Sequence, residues 1–479
     1  MVTACARGEG TPDGGRPASA GPAAGRPSVS TGAGRIVVFG IDGADWRVID
    51  PLIAAGRLPN LARIVREGAT GTLMSMEPSA SPSLWTTIAT GVTPDRHGIH
   101  NFVVAAGGKG SPASSGPGGA RGVAWGGARG GMGDPEVAQA GSRDATAWGG
   151  ASVRPVTSTM RQAPAFWNIL TRFDRRAGVV GWLVTWPAEP INGFIVSSYL
   201  PYIYNWSTGR PLKGTLVEGI PHQTFPEGLV DDLEPLKVRP QDLEGALLDR
   251  FYDTTRVGQL PAEDRECVTG FLWSLACDET YRRIGRQLFA RYPVDLFAVY
   301  FGGADVASHR FWKFAHPEAL DYRVRPEDAA VLARVIDAYY EHLDGILGEY
   351  LADLGPADTL VVLSDHGFQP VWDPARPATS GHHRLEGVIA LWGRGIAPGR
   401  IEGARLVDVL PTLLVLLDLP LASTLEGAPL VGALDGSFVQ AHPIRQVADY
   451  GPAAVPEGPD ASDLDDNVLE RLRSLGYIE

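Results

Sequence analysis

Cysteine is nearly absent from this chain: Cys5, Cys267 and Cys277 are the only three in 479 residues. If 267–277 is one helix, that pair stands about 15 Å apart along the axis, beyond disulfide reach. No disulfide framework and no cysteine-based zinc site is visible, which leaves buried structural thiols as the default. Long apolar runs are also missing. The best, VLPTLLVLLDLPLA at 409–422, holds two prolines and Asp418 and reads as core rather than as a membrane span. An excess of positive charge is missing too. With 42 basic against 55 acidic residues the net charge is −13, which argues against the phosphate backbone of nucleic acid as a main partner. Small anionic substrates stay open, because a local cation outweighs a distant net charge.

What is present is a globular composition, 44% hydrophobic with a mean hydropathy of −0.04. The 59 glycines and 38 prolines are unevenly placed. Residues 1–34 are Gly, Ala, Pro and Ser with few large apolar side chains, so they read as a disordered tail or tether. Within it, VTAC at 2–5 matches a lipoprotein cleavage box, with Cys5 as the acylated residue if the true start lies upstream of Met1. That start implies an extracytoplasmic or membrane-tethered protein; the start as written implies a cytoplasmic one. Residues 105–150, including GGARGVAWGGARGGMG, read as a disordered insertion within a domain.

Elsewhere the chain alternates. Strand-like RIVVFGID (35–42), AGVVGWLV (177–184), DLFAVYFGG (295–303), TLVVLSD (359–365) and GVIALWG (387–393) are interleaved with helical stretches at 58–68, 163–173, 268–290, 327–354 and 406–419. This pattern predicts an α/β fold with a mostly parallel central sheet and helices on both faces. Residues 201–262, rich in proline and weakly periodic, are expected to form an irregular, cap-like insertion. Residues 441–479 form a C-terminal extension containing the acidic run GPDASDLDDN.

The chemistry collects at strand ends, where ligands bind in such sheets. Asp42 closes the first strand. Ser81 opens the helix in SASPSLWTTIATG and reads as its N-cap, with Gly91 just past its end. A hydroxyl there also stands where backbone amides favour an anion. Asp305 and His309 are one helical turn apart after 295–303. Asp365 and His366 end the strand in VVLSDHGF, and His382 and His383 stand in SGHHRLEG before the next strand. Each has a bland reading as a cap, turn or surface pair. Together they suit divalent cations, zinc or, with more carboxylate, manganese or magnesium. Two such ions activate a nucleophile and hold both oxygens of an in-line displacement.

The order IDGAD, SPSLWTTIATGVTPDRHGIHNF, D-x-x-x-H, SDHGF, GHHRLEGVIALWGRG and VDVLPTLLVLLDLP resembles the alkaline phosphatase superfamily, nearest its type I phosphodiesterase/nucleotide pyrophosphatase branch. The resemblance runs over about 35–104 and 160–435. It implies an alkaline-phosphatase-like catalytic domain over 35–440 and a metal-dependent phosphoric ester hydrolase acting on a small phosphate ester. It also implies two divalent ions, zinc first, and a phospho-Ser81 intermediate. One ion falls to Asp42, Ser81, Asp365 and His366. The other falls to Asp305, His309 and His383, chosen over His382 because the branch's histidine stands four before the next strand's glycine.

The chain departs from the branch where nucleotide pyrophosphatases carry an Asn three residues after the nucleophile: here stands Leu84, followed by Trp85. Asn101, Lys313 and Arg384 are candidate substitutes for that phosphoryl-binding side chain. SPSLW does not fit the sulfatase motif. A phosphomutase or phosphotransferase of the same superfamily, or a non-catalytic binding protein keeping the fold, are the alternative readings.

Overall fold

Six consecutive buried residues, Ile36–Ile41, form the strand around which the sheet is assembled. Its apolar character on both sides follows from its position. Val37, Phe39 and Ile41 face one core, and Ile36 and Val38 face the other. The structure, a computed structural model, describes residues 34–105, 153–201, 203–204, 214–215, 220–320, 323–371 and 380–452. The tail with Cys5, nearly all of the 105–150 insertion, and residues 453–479 lie outside the described residues.

Among the described residues the sheet has nine strands. In spatial order they are Gly399–Arg405, Ala69–Met74, Glu386–Gly393, Thr359–Leu363, Ile36–Ile41, Leu296–Phe301, Ala177–Val180, Gly193–Val196 and Thr224–Phe225. The pairings around Ile36–Ile41 are parallel, as the alternation predicts. Glu386–Gly393 runs antiparallel to both neighbours, and Thr224–Phe225 is antiparallel at the far edge. The reversal at 386 has a local cause. Among the described residues of this connection, Gly367–Pro370 pairs antiparallel with Gly381–Arg384, and the chain re-enters the sheet from the same edge.

One face is covered by helices Trp46–Ala54, Pro59–Glu67, Ala262–Arg291, Gly303–Ala315 and Val335–Leu351. The other is covered by Ser81–Thr90, Phe166–Arg172 and Leu406–Leu416. Cys267 and Cys277 both lie buried on Ala262–Arg291. The helix expected over 327–354 is two, Pro326–Leu332 and Val335–Leu351. The described part of 201–262 is irregular. It supplies the edge strand Thr224–Phe225 and buries Leu229, Leu233, Phe251, Tyr252 and Leu260 in the core on the long-helix side. Beyond 440, Gln446–Val447 pairs with Leu421–Ala422, and the Tyr450 hydroxyl donates to the Pro420 carbonyl at 2.8 Å.

The strands flanking the 105–150 insertion, Val103–Ala105 and Val153–Pro155, pair antiparallel with each other. No helix among the described residues is long and apolar enough to cross a membrane.

Candidate metal centre and nucleophile

The parallel strands deliver their carboxyl ends to one edge of the sheet, and the inbound antiparallel strand brings its amino end there too. Asp42 follows Ile41 directly. Gly43 then turns the chain in a left-handed conformation (φ 70°), where a Cβ would lie 2.5 Å from the Phe368 ring and 3.1 Å from the Asp305 Cα. Helix Gly303–Ala315 starts two residues after Leu296–Phe301 and carries Asp305 and His309 on one face; His309 Nε2 lies 3.4 Å from Asp305 Oδ1. Asp365 and His366 follow Thr359–Leu363, and His383 comes in on the return hairpin. His382, its neighbour, is exposed.

All seven predicted residues meet at this edge. Asp305 Oδ1 is the hub: His383 Nε2 is 3.3 Å away and His366 Nε2 3.8 Å. His366 Nε2 is also 3.2 Å from Asp42 Oδ1 and 3.5 Å from Asp365 Oδ2. Ligand atoms of Asp305, His309 and His383 lie within 4.8 Å of one another, as do those of Asp42, Asp305 and His366. The Ser81 hydroxyl donates to Asp42 Oδ1 at 3.4 Å.

The residues fit cations on four counts. Asp305 Oδ1, Asp365 Oδ2 and His366 Nε2 are buried without a hydrogen-bond partner, a costly state for polar atoms unless something positive satisfies them. The histidines are oriented alike. His309 Nδ1 donates to the Gly381 carbonyl at 2.8 Å, His383 Nδ1 to the Ser79 carbonyl at 2.8 Å, and His366 Nδ1 to the Gly367 carbonyl at 3.1 Å. Those backbone acceptors fix the tautomer and leave each Nε2 lone pair facing inward, the usual outer-shell arrangement of a metal-binding histidine. Two such nitrogens, His309 Nε2 and His383 Nε2, approach to 3.0 Å, where a shared positive charge is needed between them. Finally, three carboxylates share one buried volume. Burial, with the charges of Asp42 and Asp305, pushes the Asp365 carboxyl well above the usual range. Burial pushes His309 down to about 4 against the pull of Asp305. Burial opposes ionisation of Asp305 as well, yet His309 and His383 hold its carboxyl below the usual range.

Ser81 differs from expectation by one position. It is the first helical residue of Ser81–Thr90, and the cap is Ala80, which makes no side-chain bond. The Ser81 hydroxyl faces Asp42 instead of its own helix. Gly91 ends the helix in the left-handed conformation as predicted. The candidate phosphoryl-binding side chains are engaged elsewhere. Lys313 donates to Asp264 at 2.9 Å, Arg384 to Asp45 at 3.2 Å, and exposed Asn101 accepts the Phe102 amide. Leu84 is fully buried. Two residues that the motifs did not bring forward, Asp45 and Tyr300, contact the ligand-bearing segments, as does Trp85.

A family model for type I phosphodiesterase / nucleotide pyrophosphatase matches residues 36–379. The chain belongs to this family. Its members are phosphoester hydrolases. No curated protein sequence matches the chain significantly. Among solved structures, it is similar to phosphonoacetate hydrolase from Sinorhizobium meliloti 1021 in complex with phosphonoformate, at 17% identity and a TM-score of 0.37, over 72% of this chain and 58% of that one. It is also similar to murine ectonucleotide pyrophosphatase / phosphodiesterase 5, at 12% identity and a TM-score of 0.43, over 84% of this chain and 100% of the other.

Proposed function

We propose that the chain is a metal-dependent phosphoric ester hydrolase of the phosphodiesterase or nucleotide pyrophosphatase type, working through a phospho-Ser81 intermediate. The observation that carries this reading is the convergence of orphaned Asp305 Oδ1, Asp365 Oδ2 and His366 Nε2 beside the Ser81 hydroxyl. Asp42, Asp365, His366 and Ser81 would hold one divalent ion and Asp305, His309 and His383 the other, with zinc the metal best suited to this donor set. When bound, such ions lower the pKa of a hydroxyl and neutralise phosphoryl charge.

The chain's own residues do the rest. Asp42 Oδ1 accepts the Ser81 hydroxyl hydrogen and so aims the oxygen. Attack forms the Oγ–P bond as the bond to the leaving alkoxide breaks, the Ser81 proton ending on that alkoxide as the released alcohol; water then cleaves Oγ–P, giving one proton to Oγ and its hydroxyl to phosphorus, which regenerates Ser81. The Ser79 carbonyl, by fixing His383, ties the loop before the nucleophile to the opposite ion site.

The test is a panel of aryl phosphodiester, aryl phosphate monoester, nucleoside triphosphate and sulfate ester, with and without chelator, alongside metal analysis of the purified protein. Chelator-sensitive phosphoester turnover with two divalent ions per chain is expected. Turnover unaffected by exhaustive chelation, or no turnover of any phosphoester by the zinc- or manganese-loaded protein, would overturn the reading.

A further inference from the structure

The two oxygens of Asp42 have different surroundings. Oδ1 faces Ser81 Oγ and His366 Nε2. Oδ2 faces away and accepts two hydrogen bonds, from the Tyr300 hydroxyl at 2.6 Å and the Trp85 indole Nε1 at 3.1 Å. Tyr300 stands on the neighbouring parallel strand, paired in register with Gly40. Gly40 is what admits Trp85: a Cβ there would lie 2.7 Å from the indole ring. The indole sits edge-on to Tyr300 at 5.0 Å and to Trp182 at 4.9 Å, and Trp182 Nε1 donates to the Trp85 carbonyl at 3.2 Å. Trp85 and Trp182 are fully buried and Tyr300 nearly so, so neither donor to Asp42 has much freedom to leave.

We infer that Tyr300, supported by Trp85, is a positioning residue that turns Asp42 so that Oδ1 alone is presented to the cation and to Ser81. The inference rests on the proposed reading of Asp42 as a cation ligand. Its physical basis is that a carboxylate's terminal torsion is broad and two-fold, so an unrestrained Asp42 would exchange its oxygens or offer both. Two donors on one oxygen remove that freedom; the 2.6 Å bond falls in the short range of charge-assisted contacts. Both donors are neutral. An Arg or Lys in the same place would orient Asp42 equally well but cancel the charge on which cation binding depends, whereas a phenol and an indole leave it intact. Outer-shell partners of this kind set metal affinity as well as geometry.

The experiment titrates metal-free wild type, Tyr300→Phe and Trp85→Phe with Zn²⁺ against a chromophoric chelator, with melting of the metal-free proteins and kcat and KM in parallel. Expected is a loss of about tenfold or more in affinity at one of two zinc equivalents in each variant. The other equivalent should be unaffected. In Tyr300→Phe, kcat should fall at nearly constant KM while the metal-free melting temperature moves little. Trp85→Phe keeps the readout available should Tyr300→Phe fold poorly. A wild type that binds two equivalents alongside variants with unchanged affinity at both would overturn the inference alone. A wild type that binds neither Zn²⁺ nor Mn²⁺ would overturn the underlying reading and the inference with it.

Discussion

Asp45 grips Phe368 by its backbone: the Phe368 amide donates to Asp45 Oδ2 at 2.9 Å, across 323 residues of sequence. The same fully buried carboxylate caps helix Trp46–Ala54 through the Arg47 amide at 2.7 Å and pairs with Arg384 at 3.2 Å. Asp45 is three residues from Asp42, Phe368 two from His366, and Arg384 next to His383. One side chain therefore spaces three ligand-bearing segments. Asp45→Ala would leave the buried Phe368 amide unpaired and Arg384 with Glu386 as its remaining carboxylate. It should cost about 2 kcal/mol in urea melts and depress kcat beyond what partial unfolding explains. Asp45→Asn, which keeps an acceptor, should be milder on both measures. Equal, negligible effects would mean that the three segments hold their spacing without Asp45.

Ser81→Ala separates chemistry from scaffold cleanly because Ser81 is not a cap. It removes one hydrogen bond to Asp42, so stability should change by only about 1 kcal/mol. Turnover should drop by orders of magnitude with metal content unchanged. Near-normal turnover in the folded, metal-loaded variant would shift the search to Ser79 or Ser83, or to direct attack by water.

His97 predicts an acid-sensitive fold. It is buried, its Nδ1 accepts the Ile99 amide at 3.2 Å, and its Nε2 contacts Thr87 Oγ1 at 3.0 Å. Burial, with His100 and Arg161 nearby, pushes its pKa down to about 3. An unfolded histidine titrates near 6.5. Between those values the unfolded chain binds a proton that the folded chain does not. This contribution is therefore complete above about pH 6.5 and is lost as pH falls toward 3, by at most about 1.4 kcal/mol per pH unit. In urea melts from pH 7 to 4, His97→Gln should be less stable at pH 7 and should lose stability less steeply on acidification. Parallel pH curves for the two proteins would remove His97 as the cause.

Arg161 and Glu189 form an ion pair almost sealed from water, with side chains 2% and 1% exposed and Nη2 to Oε2 at 2.6 Å. Asn168 and the Trp167 indole add hydrogen bonds to the same carboxylate. Arg161→Met leaves Glu189 charged and buried with neutral donors only, and should cost about 3–5 kcal/mol. Arg161→Met combined with Glu189→Leu should be less destabilised than Arg161→Met alone. A double variant as unstable as the sum of the singles would show that the pair does not act as a unit.

The sequence made the central strands legible because burial on both faces writes them as unbroken apolar runs. It hid Ala69–Met74, ATGTLM, and the edge strand Gly399–Arg405, GRIEGAR, because their polar and glycine residues leave no such run. The candidate site was legible where its residues are polar groups in an apolar setting: Asp42, Asp305, Asp365 and the histidines stand out at strand ends. Tyr300 did not. Within LFAVYF it reads as one more core aromatic, and only the register that pairs it with Gly40, beside Asp42, gives its hydroxyl a task. Asp45 was hidden for a related reason. Its partners Phe368 and Arg384 are more than 300 residues away, and a carboxylate just before a helix looks like an ordinary cap.

The antiparallel pairing of Val103–Ala105 with Val153–Pro155 sets the two ends of the intervening stretch side by side, like the jambs of a doorway. For any flexible segment whose ends are held in register in this way, the entropic cost grows only with the logarithm of its length, about 0.6 kcal/mol per doubling. Neither jamb belongs to the nine-stranded sheet, so the strands that carry the predicted ligands pair with neither of them. This makes the doorway a port in the architecture, a place where evolution can lengthen the passage, or an engineer can graft a foreign module, without shifting the register of any strand that carries a predicted ligand.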